Sequence, residues 1–450
     1  YGQTLWYLLP FVWIEDSVAR YRVMLAVNSV LASFIPVLAY RIGRRGLGLL
    51  KGTALAASLL AGWMPAVLLY SKYTWAETSL MLAPWVVLTL MLELWEGGEP
   101  GVGKRFCLSA CLAAVCVYAF MCHQRGIVLL LAVVLAAVWL EAGRRGRLDW
   151  VAFLVTLAAG LFLDRVISAW QKANVYAGAE LAHNTLAHFL EPEIYRRLFS
   201  MKGLETVWNT AAGWLFYSAG STFGLAFAGL AVTGVSVYRQ LRQRREPDGV
   251  FILSLYALLS YFGALSLGLL FFFETMYGYF EGTLVERSDH LLFGRYLEST
   301  LPVLAFLGVA RLLGTGKGKE ARREGAVCLI LFAGLGIYAG LHLLPLMEEV
   351  DCYVHSLMGM NLFMDTKAVE VTRTVIPGYA HALRLFALLS FMAALFWQAA
   401  GRGGRRLKRA AAAGTIVLFL CIYVWNCTEV IGRVDARGET VYAEYYRENG

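Results

Sequence analysis

Residues 106–141 read FCLSACLAAVCVYAFMCHQRGIVLLLAVVLAAVWLE, which is two apolar runs separated only by HQRG. A helix needs about 20 apolar residues to cross the hydrocarbon core of a bilayer, and each run is somewhat shorter than that. Two tilted crossings and a re-entrant pair both fit these lengths. The choice decides whether the polar turn between the runs reaches the far side of a membrane.

The composition places the whole chain among membrane proteins. Of its 450 residues, 59% are hydrophobic and 16% are charged, and the mean hydropathy is +0.58. A soluble protein has about 25% charged residues. Because backbone groups in lipid must pair within their own segment, we predict an all-α, multi-pass integral membrane protein. The net charge of +8 is then a consequence of topology, and we expect no nucleic-acid partner.

The apolar runs predict about twelve transmembrane helices in a single membrane domain, residues 1–450. Two of the twelve are weak candidates for a transmembrane helix. The approximate spans are 21–40, 49–70, 75–95, 106–122, 126–141, 150–168, 207–237, 250–272, 296–313, 325–346, 379–398 and 411–430.

Lys and Arg are concentrated in alternate loops. Six connections, RIGRRGLGLLK, GGEPGVGKR, EAGRRGRLD, YRQLRQRREPDG, RLLGTGKGKEARR and GRGGRRLKR, hold more than half of the 40 basic residues. If both short runs at 106–141 cross, all six loops fall on one side, and the positive-inside rule makes that side cytoplasmic. This agreement favours twelve crossings and places residues 1–20 and 431–450 outside.

The long connections are then extracytoplasmic, at 169–206, 273–295 and 347–378. The cytoplasmic loops are too short for a nucleotide-binding domain, and no GxxxxGK[ST] motif is present. Apolar and polar residues alternate between 181 and 198, which predicts one or two amphipathic surface helices broken near Pro192. These helices either cover a cavity that receives substrate or form a packing lid without substrate contact.

Several ionisable residues border the outer ends of the spans. Glu77 begins a span, where a carboxylate is favoured by the helix dipole; alternatively it binds a substrate hydroxyl or a partner arginine. Arg125 lies in the short turn HQRG and either anchors a lipid head group or binds phosphate through two hydrogen bonds.

The segment VERSDHLLFGRYLESTLP, residues 285–302, crowds charges at the start of an apolar run. Arg295 and Glu298 are three apart and are predicted to be neighbours on a helix, which Pro302 bends. Arg287 and Arg295 flank Asp289 and His290. Two arginines with a carboxylate suit a diphosphate-sized anion and a group that positions a hydroxyl. The alternative is a salt-bridge network that only holds the loop.

No metal motif stands out. HExxH and CxxC are absent, so neither a zinc site nor a disulfide framework is indicated. A Mg²⁺ or Mn²⁺ ion held mainly through a substrate phosphate is left open, since such an ion needs only one or two carboxylates.

These motifs resemble those of bacterial GT-C-type membrane glycosyltransferases, the superfamily of dolichyl-phosphate-mannose-protein mannosyltransferases and aminoarabinose transferases. WAETSLMLAPW is similar to the family's helix with an acidic residue, here Glu77, and GRYLESTLP is similar to its Gly-Arg-Tyr stretch before a proline. The first 45 residues resemble the region after the family's first outer loop, through Tyr1, Gly2, Pro10, Tyr21, Arg22 and Asn28.

The resemblance implies an enzyme of the bacterial plasma or inner membrane. Such an enzyme takes a sugar from a polyprenyl-phosphate carrier and transfers it, on the extracytoplasmic face, to a glycan, lipid or protein. The residues that would bind the donor phosphate or substrate are Arg125, Arg287, Arg295, Tyr296, Glu298, Glu77 and His290.

The family's principal acid usually lies in a first outer loop, which here would precede Tyr1 together with a first helix. Within this chain the candidates for a catalytic carboxylate are Asp289 and Asp16, and Asp16 alternatively only starts a helix. Two other functions fit the sequence: a transporter or lipid flippase, and a non-catalytic membrane partner in the assembly of a cell-envelope polymer.

Overall fold

The computed structural model describes most of the chain. The described residues are 2–96, 98, 100–143, 146–174, 192–243, 247–283, 288–314, 319–347, 356–360, 379–426 and 428. Arg287, most of the loop 347–378 and the first part of the predicted surface helices, 181–191, lie outside them.

The described part of the chain is helical. Its α-helices are α1 (Leu8–Trp13), α2 (Ser17–Arg45), α3 (Lys51–Gly62), α4 (Pro65–Tyr70), α5 (Glu77–Trp95), α6 (Val102–Cys122), α7 (Ile127–Gly143), α8 (Trp150–Asn174), α9 (Pro192–Leu198), α10 (Met201–Ser221), α11 (Leu225–Gln243), α12 (Gly249–Glu281), α13 (Leu301–Leu313), α14 (Lys319–Tyr338), α15 (Leu344–Met347), α16 (Tyr379–Arg402) and α17 (Arg405–Asn426). Short 3₁₀ turns lie at Gly2–Tyr7, Gln124–Gly126, Ser288–Leu292, Gly294–Tyr296 and Met358–Met360.

The predicted all-α, multi-pass membrane protein is confirmed, but the count of twelve spans is not. Nine helices among the described residues are long and apolar enough to cross a membrane, or ten if α10 and α11 together form one span. The predicted span 49–70 is divided by Pro65 into α3 and α4, and the predicted span 296–313 begins only at Leu301. By contrast, α12 continues to Glu281, well beyond the predicted end at 272.

The predicted span 207–237 is two helices that meet at 109°. Phe223 has φ of 54° and Gly224 has φ of 75°, so two consecutive residues adopt the left-handed conformation. That conformation ends a helix, since the chain cannot continue the right-handed path through it. A Cβ at residue 224 would also lie 2.7 Å from the Ala394 Cβ, so glycine allows α16 to pack against the bend.

The two short runs at 106–141 form a hairpin, α6 and α7, around the 3₁₀ turn Gln124–Gly126. The turn lies beside Glu77, the first residue of α5, because Arg125 contacts that carboxylate. The other end of the hairpin, where α6 begins and α7 ends, lies beside Trp95, the last residue of α5. The Trp95 indole donates to Glu141 on α7. The hairpin therefore covers the same depth as the 19-residue span α5, which fits two crossings rather than a shallow re-entrant pair.

Basic connections meet at the end of the bundle where α5 ends. Arg41 and Arg45 on α2 and Lys104 on α6 all contact Glu93 near the end of α5. These contacts join the first two basic loops that the sequence placed on one side.

The later basic loops reach the same end. Leu47, Asp248 and Glu324 line one cavity of about 380 Å³, and Lys408 donates to the carbonyl oxygen of Gly314 at 2.9 Å. The described residues beside these connections are thus neighbours at one end of the bundle, as a common side for the basic loops requires.

Candidate functional site

Two arginines converge on one buried carboxylate at the opposite end of the bundle. The Arg125 Nη2 donates to Glu77 Oε1 at 2.5 Å, and the Arg295 Nε donates to the same oxygen. The Glu77 side chain is 2% exposed and that of Arg125 is 7% exposed, whereas Arg295 keeps 24% of its side chain exposed. We call these three residues the arginine pair site.

The guanidinium groups are held in place by several further contacts. Arg125 Nη1 donates to the backbone carbonyl oxygen of Arg295 at 2.8 Å, so the two arginines are tied to each other as well as to Glu77. The Arg295 guanidinium carbon lies 4.8 Å from the centre of the Trp75 ring, and that of Arg125 lies 5.5 Å from the Tyr296 ring. Cation–π contacts of this kind favour a guanidinium in a partly desolvated place.

The turn that carries Arg125 depends on two residues of HQRG. His123 Nδ1 accepts from the Arg125 backbone N–H at 3.2 Å. A Cβ at Gly126 would lie 2.3 Å from the Ala119 carbonyl oxygen, so only glycine allows the chain to turn back this closely on α6. Burial lowers the pKa of His123 to about 3, and Arg125 adds to that effect, so the capping imidazole is neutral and can accept this hydrogen bond.

The arginine pair site carries one positive charge in excess and has unused hydrogen-bonding atoms. Glu77 Oε2 and Arg125 Nε are buried and have no hydrogen-bond partner among the described residues. A buried polar atom without a partner costs about 1–3 kcal/mol. A ligand with an anionic group for the guanidiniums and a hydroxyl for the free carboxylate oxygen would satisfy both atoms.

Glu298 lies nearby but has partners of its own. Glu298 Oε1 accepts from the Tyr217 hydroxyl and from the Gly359 backbone N–H, the latter at 3.3 Å. Tyr70 is fully buried and lies close to both Glu77 and Glu298. Burial raises the pKa of Glu298 to about 7, so this carboxyl changes its charge near neutral pH, which is typical of functional groups.

The predicted helical neighbours Arg295 and Glu298 are not on a regular helix. Arg295 lies in the 3₁₀ turn Gly294–Tyr296, and the following α-helix starts at Leu301 with Pro302 in its first turn. Pro302 therefore starts the helix instead of bending it, because proline needs no backbone hydrogen bond in the first turn. Because this segment is irregular, Arg295 contacts Glu77 while Glu298 contacts Tyr217.

The other predicted site residues are distributed more widely. Asp289 is fully buried, and its carboxylate accepts from the Ser356 hydroxyl. The His290 ring packs on Phe272 with centroids 4.2 Å apart. Their predicted roles stay predictions, as does that of Arg287, which lies outside the described residues.

Asp16 is found at the start of α2. Its Oδ1 accepts from the Ala19 backbone N–H at 2.6 Å, which is an N-cap contact. The helix-start alternative for Asp16 is therefore present in the structure, and its catalytic role stays a prediction.

A second buried polar group supports the segment that leads to Glu77. Asn28 Oδ1 accepts from Gln3 Nε2 at 2.9 Å and from the Tyr7 hydroxyl at 2.6 Å, while its Nδ2 donates to the Tyr73 carbonyl oxygen at 2.7 Å. A Cβ at Gly2 would lie 2.5 Å from the Cys122 backbone nitrogen. These contacts give a structural reason for the Gly2 and Asn28 positions of the sequence motif: they join residues 2–7 to the stretch that leads to Glu77 and to the end of α6.

We expect Asn28→Ala to lower the free energy of unfolding by about 1–3 kcal/mol, because it removes all three hydrogen bonds of a buried amide, to Gln3, Tyr7 and the Tyr73 carbonyl oxygen. Unfolding of the purified protein in detergent measures this. Ser29→Ala is the matched control, since the only hydrogen bond that the Ser29 hydroxyl makes to the described residues is to the Leu25 carbonyl oxygen of its own helix. We expect a change within about 0.5 kcal/mol. Equal effects of the two substitutions would contradict the anchoring role of Asn28.

Several members of this region carry no sequence signal of their own. Tyr217 and Tyr70 are aromatic residues within apolar runs, indistinguishable by composition from lipid-facing or core tyrosines. Only the packing of α4 and α10 beside the 295–300 segment identifies them as neighbours of Glu298.

Comparison with known proteins gives a likeness of structure only. No protein-family model matches the chain, and no curated protein matches it. Among solved structures, ArnT from Cupriavidus metallidurans bound to undecaprenyl phosphate is similar over 98% of this chain and 68% of its own, with 16% identity and a TM-score of 0.49. The same protein in the apo state is similar over 94% and 64%, with 14% identity and a TM-score of 0.42.

Proposed function

We propose that this protein transfers a sugar from a polyprenyl-phosphate-linked donor to an acceptor on the extracytoplasmic face of the membrane. The observation that carries the proposal is the arginine pair site, where two guanidiniums share one buried carboxylate and retain an excess positive charge. The motif resemblance of residues 75–85 and 294–302 to GT-C-type glycosyltransferases supports the same reaction.

The location of the site supports a lipid-linked donor. The basic loops meet at one end of the bundle, which the positive-inside rule makes cytoplasmic, and the arginine pair site lies at the other. Nucleotide sugars are cytoplasmic substrates, so an extracytoplasmic transferase needs a donor that crosses the membrane on a lipid. The protein would then reside in the bacterial plasma or inner membrane with its active face outward.

The two arginines suit the leaving group of such a transfer. The acceptor oxygen attacks the anomeric carbon, the bond from that carbon to the phosphate oxygen breaks, and the phosphate leaves with the electron pair. Guanidiniums that are already held in position before the reaction stabilise the charge that develops on this phosphate. Arg295, the more exposed arginine, would contact the phosphate first, and the buried Arg125 would support it from behind.

The acceptor hydroxyl must lose its proton to a carboxylate. Asp289 and Asp16 remain the candidates from the sequence, and Glu298 joins them because its pKa of about 7 suits a general base at neutral pH. His290 and Tyr296 would complete the binding surface around the donor.

A divalent cation held through the donor phosphate stays a prediction. Among the described residues, no three His, Cys, Asp or Glu side chains come together as metal ligands. The carboxylate at the arginine pair site already faces two cations, which provide the positive charge that Mg²⁺ or Mn²⁺ would otherwise bring to the phosphate.

The test is sugar transfer by the protein in membranes supplied with a labelled polyprenyl-phosphate sugar. We expect Arg295→Gln to lower turnover by about 10²–10³-fold, which is typical for the loss of one group that stabilises transition-state charge. Arg165→Gln is the matched control, because Arg165 is an exposed arginine on α8. Unchanged turnover in Arg295→Gln would refute the phosphate role, and ion-driven uptake without transfer would favour a transporter.

A further inference from the structure

The basic end of the bundle carries a lipid-facing groove with α5 as its floor. The stripe Leu82, Val86, Leu90 and Glu93 is half-buried, and its spacing places all four side chains on one face of the helix. Both α2 and α6 pack against α5, and both contact Glu93 at the end of this stripe, through Arg41 and Lys104. The floor therefore runs along the apolar depth of the membrane and ends at a carboxylate.

The first wall of the groove is an exposed stripe of α2. Val30, Phe34 and Val37 are 58%, 50% and 61% exposed, and they lie above Arg41 at helical spacing on the same face. Arg41 donates to Glu93 at 2.8 Å, so this face borders the floor. The stripe offers apolar surface to an acyl chain and ends in a guanidinium.

The second wall is the matching stripe of α6. Cys107, Cys111 and Ala114 are exposed and share one helix face with Lys104. Lys104 Nζ contacts Glu93 Oε2 at 3.0 Å. Both walls are thus apolar over most of their length and basic at the same end.

The basic end of the groove has more positive than negative charge. Three cations, Arg41, Arg45 and Lys104, face two carboxylates, Glu93 and Glu96. The side chains of Arg41 and Lys104 are 58% and 57% exposed despite their contact with Glu93, so they have donors free for a further partner. An anion is the partner that this charge favours.

We propose that this groove binds one anionic phospholipid of the cytoplasmic leaflet, with its phosphate between Arg41 and Lys104 and an acyl chain along the α2 and α6 stripes. Basic pockets between transmembrane helices on the cytoplasmic side suit anionic head groups in general. The site lies at the end of the bundle opposite the arginine pair site. It is independent of the sugar-transfer reaction.

The test compares phosphatidylglycerol with phosphatidylcholine as added lipids to the full chain in detergent. Native mass spectrometry counts retained lipid, and the shift of the melting temperature on lipid addition reports binding independently. We expect phosphatidylglycerol to be retained in preference, and Arg41→Gln and Lys104→Gln each to weaken its binding by about fivefold. Added salt should also weaken it, since these charges are exposed.

Two further variants make the test selective. Arg409→Gln removes an exposed basic residue of α17 at the same end of the bundle and should leave lipid binding unchanged. Glu93→Gln removes the competing carboxylate and should strengthen phosphatidylglycerol binding, which distinguishes a loss of charge from a loss of folding.

Three outcomes would overturn the proposal. They are equal retention of both lipids, an equal effect of Arg409→Gln and Arg41→Gln, and efficient thiol crosslinking of two copies through Cys111. The last result would mean that a second protein helix, and no lipid, occupies the groove.

Discussion

Replacement of Glu77 by glutamine is expected to destabilise the protein by about 3–5 kcal/mol, because it leaves two guanidiniums facing each other with no counter-charge in a buried place. Glu77 is 2% exposed, and both arginines donate to the same oxygen. Glutamine keeps the shape of the side chain but cannot balance either charge. The midpoint and free energy of unfolding in detergent measure this effect.

Glu93→Gln is the matched control for this prediction. Glu93 also binds several cations, but those cations are 40–58% exposed at the opposite end of the bundle. Exposed ion pairs contribute about 0–1 kcal/mol, so we expect a small loss of stability. If Glu77→Gln and Glu93→Gln lowered the free energy of unfolding by the same amount, the arginine pair site could not be the buried, preorganised charge cluster on which the proposed function depends.

Gly229→Val is expected to separate α11 from α13 and to cost about 1–3 kcal/mol or more, which is the usual range for overfilling a packed interface. A Cβ at residue 229 would lie 1.9 Å from the Leu304 carbonyl oxygen, and one at Gly308 would lie 2.2 Å from the Leu225 carbonyl oxygen. Small residues on both helices allow this close backbone approach, as is common between membrane helices.

We expect Gly229→Val to disturb the arginine pair site as well as to lower the stability. Since α13 begins at Leu301, just after Glu298, a displaced α13 would move the segment that carries Arg295. Gly234→Val on the same helix is the control, because nothing lies within 4 Å of a Cβ there. We expect this variant to have the same free energy of unfolding and the same turnover as the parent protein. A loss in both variants would indicate a general intolerance of α11 to valine.

The sequence predicted the class of fold correctly, and the structure brings residues beside the predicted basic loops to one end of the bundle, as that prediction requires; which side of the membrane this end faces stays a prediction. Hydropathy over about 20 residues and the count of Lys and Arg between spans are local sums, and they do not depend on which helices become neighbours. The same local reasoning failed where helices break. Pro65 and the left-handed pair at residues 223–224 divide predicted spans, and apolar composition hides such breaks.

The arginine pair site was predicted only as separate parts. Glu77 and Arg125 are 48 positions apart, and Arg295 follows Glu77 by 218, so no spacing rule connects them. The family resemblance and the charge pattern marked each residue singly. Their convergence follows from α5, the α6–α7 hairpin and the segment before α13 meeting at one end of the bundle.

The residues alone therefore established a multi-pass helical membrane protein with its basic loops on one side, because partitioning into lipid depends on local hydropathy and charge. The folded bundle decided which polar groups share a buried volume. Burial and distance set the strength of a charge interaction, and both quantities exist only once the helices have packed.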